Sequence, residues 1–136
     1  MRLIVLDTNV LVSAGINPDG PPAKIVVDLV LGGTVQTVTS PSVTAEYREV
    51  FRRAKFFRYE FPPLWLEFLI DESMQLPEPA LWPHSCPDPK DAVFLALAKA
   101  AGAWLVTGNL KHFPVRGRAG VRVVSPAEYL AILEGE

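Results

Sequence analysis

The hydrophobic period changes repeatedly along the chain. Positions 2–6 form a short apolar run closed by Asp7, the pattern of a strand covered on both faces of a parallel sheet. Residues 8–14 then read as one or two helical turns and 15–22 as a turn-rich loop. At 23–31 apolar residues return at helical spacing, until Gly32 and Gly33 stop them. Positions 34–39 alternate and are β-branched, which predicts a second strand. Ser40 and Pro41 supply an N-cap and a first-turn proline for a helix whose buried stripe is Val43, Tyr47, Val50, Phe51 and Ala54. A further helix is expected over 63–72, from the spacing of Leu64, Trp65, Phe68 and Leu69. The stretch 76–87 is proline-rich and irregular, with at most a short strand at 73–76. Asp88-Pro89-Lys90-Asp91 opens a helix over 92–101 that is nearly all apolar and therefore central, with Gly102 as its cap. A buried strand at 103–107, a polar loop at 108–120, a last strand at 121–124 and a helix begun by Ser125-Pro126 and running to 133 complete the chain. Strand and helix alternate throughout, which predicts an α/β sandwich of three layers with a mostly parallel central sheet.

The chain has 136 residues, enough for one domain, expected over 1–136, and too few for two ordinary ones. Hydrophobic residues make up 49% and charged residues 21%, the balance of a folded protein. No apolar run approaches the length that spans a bilayer or forms a secretory signal, so no membrane role and a cytoplasmic location are expected. Cys86 is the only cysteine, which excludes an intrachain disulfide and a cysteine-based zinc cluster. The net charge of −2 argues against a strongly basic nucleic-acid binder. Five cations nonetheless fall together: Arg48, Arg52, Arg53, Lys55 and Arg58. Such a run is an ordinary solvated helix face unless a polyanion binds there.

Candidate chemistry gathers at the carboxyl ends of the expected strands, where open parallel sheets bind ligands. Asp7 ends the first strand, and Asn109 follows the 103–107 strand by one glycine. Asp91 lies in the first turn of the apolar helix, and Glu46 flanks the stripe of the helix after the second strand. Carboxylates driven together repel unless a cation neutralises them, and an oxygen-rich set suits Mg²⁺ or Mn²⁺ better than zinc. Such a centre activates water and steadies charge on a phosphodiester, so phosphodiester hydrolysis is the expected reaction.

These pieces resemble the PIN-domain nucleases, in particular the toxin components of prokaryotic toxin–antitoxin pairs. The matching segments are Asp7-Thr8-Asn9-Val10, Ser42-Val43-Thr44-Ala45-Glu46, Asp88-Pro89-Lys90-Asp91 leading into Phe94-Leu95-Ala96-Leu97-Ala98, and Val106-Thr107-Gly108-Asn109. The resemblance implies a metal-dependent endoribonuclease in which Asp7, Glu46 and Asp91, helped by Asn109, hold Mg²⁺ or Mn²⁺. It also implies an RNA substrate, a cognate antitoxin and a homodimer. Where the family often has aspartate this chain has Asn109, and Asp88, three residues before Asp91, is a candidate replacement ligand.

Each assignment has a plainer rival. Asp88 is also an N-cap, Asp91 also complements a helix dipole, and Glu46 is also a surface acid able to pair with Arg53. Thr8, Asn9 and Thr107 read as supports for Asp7 or as local caps. Arg48, Arg52 and Arg53 are the candidate RNA contacts. His84 and His112 lack metal-pair spacing and read as loop residues, Trp65 and Trp104 as core, and Trp82 as open to base stacking. Against the ribonuclease stand a catalytically weak PIN-like module that binds RNA or protein, a DNA flap nuclease, and a phosphatase with Asp7 as nucleophile. The phosphatase expects an aspartate at position 9, which holds asparagine.

Overall fold

The computed structural model describes residues 2–53 and 63–136. Among them a five-stranded sheet runs in the order β3-β2-β1-β4-β5, with strands β1 Leu3–Leu6, β2 Gln36–Thr39, β3 Met74–Gln75, β4 Trp104–Val106 and β5 Val123–Val124. Every pairing is parallel, with Ile4 beside Thr37 on one side and Trp104 on the other. The helices are α1 Thr8–Ile16, α2 Pro21–Ala23, α3 Pro41–Phe51, α4 Trp65–Glu72, α5 Ala92–Ala101 and α6 Pro126–Glu134. Ala54, Lys55 and Arg58 lie outside the described residues.

Strand order explains the layers. The chain travels outward from β1 to β3, returns past β2 and β1 to lay down β4, and then continues to β5. Right-handed crossovers that run in opposite directions place their helices on opposite faces of a sheet. Helix α5 accordingly lies across β1, β2 and β4, while α1 and α2, with α6 against α2, form the other layer. The reversal falls between β1 and β4, and open parallel sheets bind ligands beyond the carboxyl ends of the strands at such a place.

The core is built from the runs that the sequence marks as apolar. Ile4, Val5 and Leu6 of β1 are fully buried, as are Leu97 and Leu105, and Phe94, Leu95 and Ala98 are nearly so. Gly102 closes α5 at φ +65, a left-handed turn that a side chain would strain. Ser40 caps α3 and a reciprocal Ser125–Glu128 capping box opens α6. The tryptophans Trp65, Trp82 and Trp104 all pack at the margin of the core, and the Trp82 indole also donates to the Gly117 carbonyl at 3.3 Å.

Three elements differ from expectation. Helix α1 continues to Ile16. The segment after α2 is not α-helical: Lys24–Val30 winds as a π-helix, a wider repeat that turns Ile25 and Val30, five apart, into the core together and leaves Val27 exposed. The strands are shorter than their apolar runs: β4 ends at Val106, although the Thr107 N–H still donates to the Val124 carbonyl at 3.0 Å.

Candidate active site

Asp7 leaves β1 as the N-cap of α1 and is only 5% exposed. Its Oδ2 accepts from the Thr107 hydroxyl at 2.8 Å, and that same oxygen of Thr107 accepts from the Asn109 backbone N–H at 3.1 Å. Asn9 Oδ1 accepts from the Gly108 N–H at 3.0 Å. The loops after β1 and β4 are therefore stitched together by side chains that the sequence marked as supports. Burial pushes the Asp7 carboxyl above the usual carboxylate range, with Thr107 and the Asn9 and Thr8 amides pulling the other way. The Thr8 hydroxyl is buried without a hydrogen-bond partner.

Asp91 closes the short 3₁₀ turn Pro89–Asp91 and opens α5. Its Oδ2 is shut off from solvent and receives no hydrogen bond. Burial first, and then repulsion from Asp7, raises its pKa to about 6, with smaller upward pushes from Asp88 and Glu46 and a downward one from His112. The four acids named from the sequence thus share one electrostatic neighbourhood, though they are held differently. Asp88 is an exposed N-cap that accepts from the Lys90 N–H at 3.0 Å, as its plainer reading has it. Glu46 is half-buried on α3, and no ion pair with Arg53 is present among the described residues.

Tyr47 fixes Glu46's helix to Asp7's strand. Its hydroxyl donates to the Leu6 carbonyl at 2.6 Å and its ring stacks near Phe94 of α5, so one side chain touches the three elements that carry Asp7, Glu46 and Asp91. Burial and the Asp7 charge hold the phenol in its neutral, donating form. Tyr47→Phe leaves a buried carbonyl unpaired and is expected to cost about 1–2 kcal/mol in denaturant unfolding. An unchanged midpoint would show that the bond carries no weight.

Sequence reasoning missed His112. At the end of the 3₁₀ turn Leu110–His112 its Nε2 lies 2.9 Å from Asn109 Nδ2, and its Nδ1 lies 3.3 Å from Asp91 Oδ2. A lone histidine in a polar loop gives little signal; the available one was its position three residues after Asn109, a helical-turn spacing. The arginines are less free than a binding track requires. Arg48 makes two bonds to Glu67, at 2.6 and 3.1 Å, and Arg52 pairs with Glu49 at 3.7 Å, while Arg53 is exposed.

Among the described residues no three His, Cys, Asp or Glu side chains converge closely enough to enclose an ion. Hard cations of the Mg²⁺ class do not need such a cage, since they keep several waters and take one or two protein carboxylates. The donor set fits one: a carboxylate oxygen on Asp91 that no hydrogen bond occupies, a buried acid in Asp7 and two further acids within electrostatic reach.

A parallel sheet reversed at β1/β4 with acids gathered near that reversal defines a class, and comparison with known proteins names it. The PIN domain family matches residues 3–111, so this chain belongs to the PIN domain family. An uncharacterized protein of Methanocaldococcus jannaschii is 31% identical over 96% of this chain and 91% of its own length. Among solved structures, the fold is similar to that of VapBC2 from Rickettsia felis bound to a DNA fragment from its promoter, with TM-score 0.64 and 18% identity over 90% of this chain and 98% of that one. It is also similar to FitAcB from Neisseria gonorrhoeae, with TM-score 0.58 and 21% identity over 91% of this chain and 98% of that one. No helix among the described residues is long and apolar enough to cross a membrane.

Proposed function

We propose that this chain is a metal-dependent endoribonuclease, the toxin of a toxin–antitoxin pair. The observation that carries the reading is Asp91 Oδ2, a carboxylate oxygen closed to water and without a hydrogen bond, with the His112 ring 3.3 Å away and other acids around it. A protein gains nothing in stability from that arrangement, and a divalent cation relieves it.

Asp7 and Asp91 would hold Mg²⁺ or Mn²⁺, with Glu46 and Asp88 reaching it through water. When bound, the ion supplies an acidified water and offsets the charge that builds on a phosphodiester. The chain's own groups do the positioning. Thr107, with the Asn9 and Thr8 amides, holds the Asp7 carboxyl in place. Asn9 pins the Gly108 amide, which fixes the loop that carries Asn109. No side-chain nucleophile is required. RNA phosphates would meet Arg53 first, with Arg52 and Arg48 joining once they release Glu49 and Glu67.

The antitoxin and homodimer readings draw on the family resemblance and on the kind of assembly in the similar structures, one of which is bound to promoter DNA. Exposed Leu64 and Phe68, four apart at the start of α4, support a homodimer or an antitoxin contact on that side. The rival, a PIN-like module that binds without cutting, draws on the lack of a closed three-ligand cage. Incubating the purified chain with a mixed RNA pool separates them. Cleavage is expected with Mg²⁺ or Mn²⁺ and none with EDTA; RNA retention without cleavage in either metal would favour the binding module.

A further inference from the structure

The ring of His112 meets Asp91 without hydrogen-bonding to it, and that contact carries more than a loop residue's role. Nδ1 stands 3.3 Å from Asp91 Oδ2, yet this oxygen receives no hydrogen bond. For metal–ligand bonds of about 2.1–2.3 Å, two donors at right angles around one cation stand about 3.0–3.3 Å apart. The pair therefore has the spacing of neighbouring ligands. On the ring's far side, Nε2 lies 2.9 Å from the Asn109 amide. A half-turn of that amide exchanges its Nδ2 for Oδ1 at the same place, and Nε2–H then donates to a carbonyl oxygen while Nδ1 keeps its lone pair toward Asp91. A histidine whose second nitrogen is tied in this way is the usual arrangement of a metal-ligating imidazole.

We propose that His112 is a direct nitrogen ligand of the metal centre, and that Asn109 serves to orient its ring instead of ligating the ion itself. The inference rests on the metal-dependent reading above and refines it. Asn109 no longer stands for a missing carboxylate: an amide that can offer oxygen to Nε2–H does what aspartate would do only at the cost of another negative charge in an acid-rich crevice. A mixed oxygen and nitrogen set also changes which ion fits. Imidazole raises affinity for transition metals and does little for Mg²⁺, which favours oxygen. The centre accordingly selects Mn²⁺ over Mg²⁺.

Electron paramagnetic resonance of the full chain loaded with Mn²⁺ tests this without reference to activity. Bound Mn²⁺ is expected to show ¹⁴N spin-echo modulation from a coordinated imidazole. The signal should persist in His84→Ala, which removes the only other histidine, and vanish in His112→Ala and His112→Asp. By calorimetry, His112→Asp, which replaces nitrogen with oxygen, should narrow the Mn²⁺ to Mg²⁺ affinity ratio by about tenfold. Thermal melts of each variant establish that it is folded. Mn²⁺ bound by the wild type with no ¹⁴N modulation overturns the role of His112 and leaves the carboxylate centre standing. Failure of the folded wild type to bind Mn²⁺ at all overturns both readings.

Discussion

Asp7→Asn is expected to lower the metal-dependent cleavage of RNA on the order of 10³-fold, the scale set by removing a group that organises charge at a reacting phosphate. The substitution changes little else. Asparagine has the same shape, and its Oδ1 can still accept from the Thr107 hydroxyl, so the stitch between the loops after β1 and β4 survives. Burying a neutral amide also costs less than burying the carboxylate, whose pKa burial already raises. The variant should therefore melt no lower than the wild type in EDTA while binding Mn²⁺ at least tenfold more weakly, about 1.4 kcal/mol. Single-turnover cleavage with matched metal loading checks it, and a rate within tenfold of the wild type would remove Asp7 from the centre.

Asp91→Asn should abolish activity and at the same time stabilise the metal-free protein near neutral pH. A carboxyl whose pKa is higher folded than unfolded binds protons better in the native state. Native stability is then unpenalised below the unfolded value and falls as pH rises through the folded value. For Asp91 that window runs from 3.8 to about 6. A shift of two units corresponds to about 3 kcal/mol, of which solvent at the crevice mouth screens part, leaving about 1–2 kcal/mol at pH 7.5. For a domain of this size the variant gains roughly 3–8 °C in melting temperature over the wild type in EDTA. At pH 4 the two should melt alike, and saturating Mn²⁺ should restore the wild type's ranking. A variant that melts lower than the wild type at pH 7.5 in EDTA would mean that the carboxylate is satisfied by the protein alone.

The parts of the site legible in the sequence were those that interrupt an apolar pattern. Asp7 closes β1 and Asp91 opens α5, and both elements are buried strongly enough for composition alone to place them. Glu46 was visible only as a flank of the α3 stripe. What could not be read were contacts between residues far apart in the chain. The Thr107 hydroxyl reaches back 100 positions to Asp7, and the Tyr47 hydroxyl reaches 41 to Leu6. Neither leaves a periodic trace, because one side chain bonding to one distant group needs no repeat. His112 was passed over for a related reason: its significance lies in Asp91, which is brought to it by a 3₁₀ turn that no propensity forecasts. The π-helical winding of Lys24–Val30 was hidden because its seven residues contain as many apolar positions as an α-helix would bury.

The position of β4 between β1 and β5 bears on the order in which the proposed centre can assemble. Asp7 and Glu46 precede β4 in the chain, whereas Thr107 and His112 follow it. Under the proposed function, a folding chain holds its acids without these supports until β4 slots in beside the central strand, so the centre would be completed only as the sheet closes.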